Sequence, residues 1–100
     1  MAFSLLNKTR YEQSFKVVEQ SVIDPQELAL YKPQCLCVHG TWGKSLKFFS
    51  KEGYVNYVPC NPASSVEVGK YYDTKDVVIQ TLERNGEVID KAMLKCDLNL

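Results

Sequence analysis

The segment VVIQTLERNGEVIDKAML, residues 77–94, indicates the fold class. Two runs of strand character, 77–83 and 87–94, flank an Asn85-Gly86 pair. Asn-Gly is the strongest short signal for a β-hairpin, because both central residues of a type I′ turn need a positive φ angle. The segment therefore predicts two antiparallel strands joined by a tight turn.

A second hairpin is predicted within TWGKSLKFFSKEGYVNYV, residues 41–58. The apolar runs 45–49 and 54–58 surround four residues that end in Gly53. A connection of this length with a final glycine suits a type I turn closed by a left-handed residue. The prolines at 59 and 62 then block continuation of the strand and predict a loop.

Two shorter alternating runs complete the strand-rich part of the chain. The run CLCVH, residues 35–39, ends at Gly40, and residues 66–68 form a piece that ends at Gly69. Strands at short spacing with tight turns are typical of an antiparallel meander or a small barrel.

The region before Pro33 predicts helices. Thr9 and Glu12 match a capping box, and an apolar stripe at helical spacing runs on to Val22, so a helix over 9–22 is expected. The alternative is a strand, because residues 15–17 alternate and Val17 and Val18 are β-branched. A second, two-turn helix is predicted to begin after an Asp24 N-cap and to end by Lys32.

These elements predict one α+β domain over residues 1–100. It consists mainly of an antiparallel β-sheet or a small, partly open barrel of about five strands, with one or two short N-terminal helices. An OB-like barrel is one member of this class.

Composition limits the function. Lys plus Arg and Asp plus Glu each number 12, so the formal net charge is zero, which argues against a general polyanion binder. The longest apolar runs are far shorter than the roughly 20 residues of a membrane span, and the first residues lack the charge order of a secretory signal. We therefore expect a cytoplasmic protein that does not enter a membrane.

The aromatic and lysine-rich 41–58 segment is the main candidate site. Residues 41–60 carry a net charge of +2, and a second cation–aromatic cluster follows at residues 70–72. Exposed rings stack on unpaired bases and lysines contact phosphates, so this composition is typical of single-stranded nucleic-acid binding. The predicted binding residues are Trp42, Lys44, Lys47, Phe49, Lys51, Tyr57, Lys70 and Tyr72.

Two alternatives use the same residues. The aromatics could be core residues, with the lysine stems lying over them at the rim. They could also form a protein-binding surface, because Trp, Tyr and Phe are enriched at interfaces. In that case the chain would be an accessory or inhibitor protein, or would pair with a second copy of itself.

Neither a metal site nor catalysis is predicted. Cys35, Cys37, His39 and Cys60 are the candidates for zinc, but neighbours on one strand face lie about 6.6 Å apart and the C-x₂-C spacing is missing. We expect buried thiols and no cofactor. With one histidine and no paired carboxylates, the chain is expected not to be an enzyme.

Overall fold

The hairpin predicted at Asn85-Gly86 forms. Asn85 has φ 50° and Gly86 has φ 81°, both in the left-handed region that the turn requires. The flanking strands pair without interruption from Arg84 opposite Glu87 to Val77 opposite Leu94. The hairpin over 41–58 also forms, and Gly53 in its turn has φ 85°.

The structure is a computed structural model that describes residues 15–99. Within this range the chain forms seven strands: β1 Lys16–Val22, β2 Tyr31–Gly40, β3 Gly43–Ser50, β4 Val55–Pro59, β5 Tyr71–Asp73, β6 Val77–Arg84 and β7 Glu87–Leu94. One α-helix, α1 Pro25–Leu28, and two 3-10 helices, Thr74–Asp76 and Lys95–Leu98, connect or follow them. None of these helices could span a membrane, since each is too short.

The strands form two antiparallel sheets that share a core. The first sheet has the order β1-β6-β7 and the second has the order β4-β3-β2-β5. The core between them contains these buried residues: Cys35, Cys37, Leu46, Phe48, Cys60, Val66, Val77, Ala92 and Leu94. An isolated bridge between Cys60 and Ala92 connects the end of β4 to β7.

The prediction of a mainly antiparallel β-sheet is therefore confirmed. Within residues 15–99 both sheets remain open and do not close into a barrel. A cleft is lined by Tyr31, Phe48 and Asn56 of the second sheet and by Thr81 and Asp90 of the first. The strand count exceeds five because β1, which was predicted as a strand only as the alternative to a helix, and the unpredicted three-residue β5 are both strands.

The helix predicted over 9–22 is wrong within the described residues. Residues Lys16–Val22 form strand β1, which pairs with β6 with a register shift between Val17 and Glu19. Phe15 is buried, but Val18 and Val22 are exposed, so the helical stripe does not lie on one buried face. Ladder hydrogen bonds to β6 satisfy backbone groups that a helix would otherwise pair internally. The predicted cap at Thr9 and Glu12 lies outside the described residues.

The second predicted helix begins where expected and is shorter than expected. The Asp24 side chain accepts a hydrogen bond from the Gln26 N–H at 2.7 Å, and Pro25 occupies the first turn. The helix ends at Leu28, because the chain enters β2 at Tyr31, two residues before Pro33. It forms one turn instead of two.

Residues 66–68 form no strand, and they belong to a loop anchored by side chains. Val66 lies fully buried in the core. The Asp97 carboxylate accepts hydrogen bonds from the Ser65 N–H at 2.9 Å, the Ser65 hydroxyl at 2.7 Å and the Ser64 hydroxyl at 3.3 Å. Burial raises the pKa of Asp97, but these hydrogen bonds outweigh it and hold the pKa below its ordinary value. The loop is thereby fixed against the 3-10 helix Lys95–Leu98.

Candidate functional site

The alternation along β3 decides which aromatic rings face solvent. Leu46 and Phe48 are 0% and 2% exposed and lie in the core. Lys47 and Phe49 therefore point to the outer face of the second sheet, and both are partly exposed. The 41–58 hairpin supplies core residues from one face and a lysine–aromatic surface from the other.

Strand pairing extends this outer surface across the whole sheet. Lys47 lies opposite Tyr57 on β4 and opposite Leu36 on β2, and Leu36 in turn lies opposite Tyr71 on β5. Directly paired residues share a face, so Tyr57, Lys47, Leu36 and Tyr71 form one row, the aromatic row. Three strand spacings separate its two tyrosines, which places them about 14 Å apart.

The rings of the aromatic row are available to a ligand. Tyr57 is 54% exposed and Tyr71 is 59% exposed. The Lys47 Nζ atom lies 5.4 Å from the Tyr57 ring centroid and 5.8 Å from the Phe49 ring centroid. These are cation–π distances, so the ammonium is held between two rings at the centre of the surface.

A shallow groove adjoins the aromatic row on the β5 side. Gln34 on β2 lies opposite Asp73 on β5, one row from the Leu36–Tyr71 pair. The groove is lined by Lys32, Pro33, Gln34, Phe49, Tyr71 and Asp73. It combines ring faces with amide, carboxylate and ammonium groups.

Trp42 and Lys51 lie at opposite ends of this surface. Trp42 is 85% exposed in the turn between β2 and β3, and Lys51 lies in the turn between β3 and β4. The eight residues of β3 separate them, a length of about 25 Å. The structure therefore brings Lys47, Phe49 and Tyr57 together, with Lys51 at the Phe49 end of β3 and Trp42 at the other end.

Lys44 does not share the outer face. It alternates with Lys47 and so lies on the side of Leu46, where its Nζ donates to the Val66 carbonyl oxygen at 2.7 Å. This contact fixes the loop that carries Val66. The spacing of lysines along β3 indicates this difference, because residues 44 and 47 are an odd number of positions apart.

Lys70 and Tyr72 also lie away from the aromatic row. The Lys70 Nζ pairs with the Glu67 carboxylate at 2.6 Å, which raises the pKa of Lys70 and lowers that of Glu67. Tyr72 is opposite the buried Cys35 and packs against the core, and its hydroxyl accepts a hydrogen bond from the Glu67 N–H at 2.8 Å. Tyr71, which belongs to the 70–72 cluster but was not among the predicted binding residues, occupies the outer face instead.

Three of the four cysteines are buried thiols with raised pKa values, and no metal-binding cluster includes them in the described part of the chain. Burial raises the pKa of the Cys35 thiol to about 11 and that of Cys60 to about 12, and it also raises the pKa of Cys37. His39 is exposed near the end of β2. Among residues 15–99, no three His, Cys, Asp or Glu side chains converge to hold a metal ion.

Comparisons with protein-family models, with curated proteins and with solved structures give no significant match to this chain.

Proposed function

We propose that this protein is a non-enzymatic binding module that holds single-stranded nucleic acid on the outer face of its second sheet. The observation that carries the proposal is the aromatic row, in which two exposed tyrosines flank a lysine on a four-stranded platform. A sheet holds ring faces rigidly, and each stacked base contributes roughly 1–3 kcal/mol.

The charges near the row support a phosphate contact at its centre. Lys47 lies between Tyr57 and Phe49, Lys51 follows Phe49 in the next turn, and Lys32 lines the groove. A strand crossing from Tyr57 to Tyr71 would stack a base on each ring and pass its backbone over Lys47. The span of about 14 Å suits a segment of a few nucleotides.

The state of the thiols supports a role without catalysis. A nucleophilic cysteine acts as the thiolate, and the raised pKa values of Cys35 and Cys60 keep both thiols protonated at neutral pH. His39 is exposed, whereas Cys37 and Cys60 are buried.

A second candidate is a protein-interaction surface on the same face, formed with another protein or with a second copy of the chain. The observation that favours it is the apolar filling between the rings: Leu36, Val38 and Val55 all lie on the outer face and are partly exposed. Interfaces combine such residues with Tyr and Trp.

Fluorescence anisotropy with a labelled thymine dodecamer, over a salt series of about 50–300 mM, tests the proposal. We expect affinity to fall with salt with a logarithmic slope between about −1.4 and −2.1, because two or three lysines meet phosphate and each contributes about −0.7. Lys47→Gln should reduce the slope by about 0.7, whereas Lys16→Gln, the same charge change on the edge of the first sheet, should leave it unchanged.

Two results would contradict nucleic-acid binding. One is no binding at the lowest salt, and the other is equal effects of the Lys47 and Lys16 substitutions. If the dodecamer does not bind and sedimentation shows a dimer that Tyr57→Ala dissociates, the protein-interaction surface is the correct function.

A further inference from the structure

A carboxylate lies inside the surface proposed for a polyanion, and its position calls for an explanation. Asp73 and Tyr71 are two residues apart on β5 and share the outer face, about 6.6 Å from each other. Gln34 lies directly opposite Asp73. With the Phe49 ring, these side chains line the groove beside the aromatic row.

The polar side chains of Asp73 and Gln34 form no hydrogen bond to other residues of the described fold. Asp73 precedes the 3-10 helix Thr74–Asp76 at its N-cap position, yet its side chain makes no capping hydrogen bond. No lysine lies within ion-pair distance of the Asp73 carboxylate among residues 15–99. Asp73 can therefore accept hydrogen bonds, and Gln34 can both donate and accept, next to two rings on which a base can stack.

The Watson–Crick edges of the bases differ in how they meet a carboxylate beside an amide. Guanine presents two adjacent donors, N1–H and N2–H, followed by the O6 acceptor. A carboxylate accepts from both donors, while an amide NH₂ group donates to O6. Cytosine and adenine present one amino donor next to a ring-nitrogen acceptor, and thymine or uracil presents one N–H between two carbonyls. Each of these three leaves an acceptor facing the carboxylate.

We infer that the groove is a guanine subsite. The base stacks on Tyr71 against Phe49, Asp73 accepts from guanine N1–H and N2–H, and Gln34 donates to O6. The inference rests on the proposed function and adds base selectivity to it. It explains why an acidic residue lies on this surface: a phosphate would be repelled by Asp73, whereas a guanine edge is bound by it.

The test uses four labelled dodecamers that are all thymine except at one central position, which holds G, A, C or T. The full-length protein should bind the single-G strand about 5- to 100-fold more tightly than the other three, the range expected of a bidentate base contact. Asp73→Asn should reduce this preference to about twofold or less while the all-thymine strand still binds. Asp76→Asn makes the same charge change three residues away on the 3-10 helix, and it should keep the preference.

The failure of this inference differs from failure of the proposed function. If all four strands bind equally to the unmodified protein, or if Asp73→Asn keeps the preference for G, the subsite is refuted and single-strand binding stands. If Asp73→Asn tightens all four strands by the same factor, Asp73 only repels phosphate, and the subsite is again refuted. If no strand binds, the proposed function and the subsite are both refuted.

Discussion

The neighbouring tyrosines Tyr71 and Tyr72 should respond to substitution in opposite ways. Successive side chains of a strand point to opposite faces, so Tyr71 belongs to the outer surface and Tyr72 to the core. Tyr71→Ala removes a ring that is 59% exposed, and the free energy of unfolding should change by no more than about 0.5 kcal/mol. The same substitution should weaken oligonucleotide binding by about 1–3 kcal/mol, because a stacking ring is lost.

The cost of changing Tyr72 follows from its contacts. Tyr72→Phe removes the hydroxyl that accepts from the Glu67 N–H at 2.8 Å. Glu67 is exposed, so water can replace the lost acceptor, and we expect a loss of about 0.5–1 kcal/mol. Tyr72→Ala also removes a half-buried ring that packs against the core. Truncation of a fully buried aromatic side chain to alanine lowers the free energy of unfolding by about 3–5 kcal/mol. Because the Tyr72 ring is only half-buried, we expect a loss of about 2–3 kcal/mol.

Urea unfolding gives the three free energies, and anisotropy with the thymine dodecamer gives the three affinities. Both Tyr72 variants should bind as tightly as the unmodified protein under conditions in which they are folded. If Tyr71→Ala costs as much stability as Tyr72→Ala, or if Tyr72→Phe weakens binding more than Tyr71→Ala, the assignment of the two faces is incorrect.

Further predictions concern the turn, the loop anchor and the thiols. Gly86→Ala should destabilise the protein by at least about 1 kcal/mol in urea unfolding, because φ is 81° at this position. Asp97→Ala should cost about 1–3 kcal/mol, since it removes the acceptor of three hydrogen bonds, and Asp97→Asn should cost less. Above about pH 9 an unfolded Cys60 thiol ionises while the folded one, with a pKa of about 12, stays protonated. The contribution of Cys60 to stability should therefore be constant below about pH 8 and fall by about 1 kcal/mol by pH 10, so the alkaline loss of stability should be less steep in Cys60→Ala. A thiol reagent at neutral pH should modify the exposed Cys96 before the buried cysteines.

The hairpins could be predicted from the sequence because their signals are local. Asn85-Gly86 and Gly53 each require a left-handed backbone conformation, and each lies between runs of matching strand character. Strand β1 could not be predicted in this way. Its valines fit a helical stripe and an alternating strand equally, and pairing with the distant β6 decides the outcome.

The candidate site was predictable only within one hairpin. Alternation along β3 separates Phe48 from Lys47 and Phe49, and this pattern can be read from the sequence once one face is known to be buried. Leu36 and Tyr71 join the same face through the pairing of β2 with β3 and β5, and that strand order has no local signal. The choice between Tyr71 and Tyr72 depends on the same pairing.

The zero net charge and the single central lysine together define the expected character of binding. The aromatic row carries one ammonium between its two tyrosines, so electrostatic attraction over a distance is weak and most of the binding energy must come from stacking. Loss of Tyr57 or Tyr71 should therefore weaken binding more than loss of Lys47. A surface that depended on phosphate contacts would show the reverse order, with a steep salt dependence that this number of lysines cannot provide. The relative cost of ring and lysine substitutions thus tests whether the sheet recognises bases or only backbone charge.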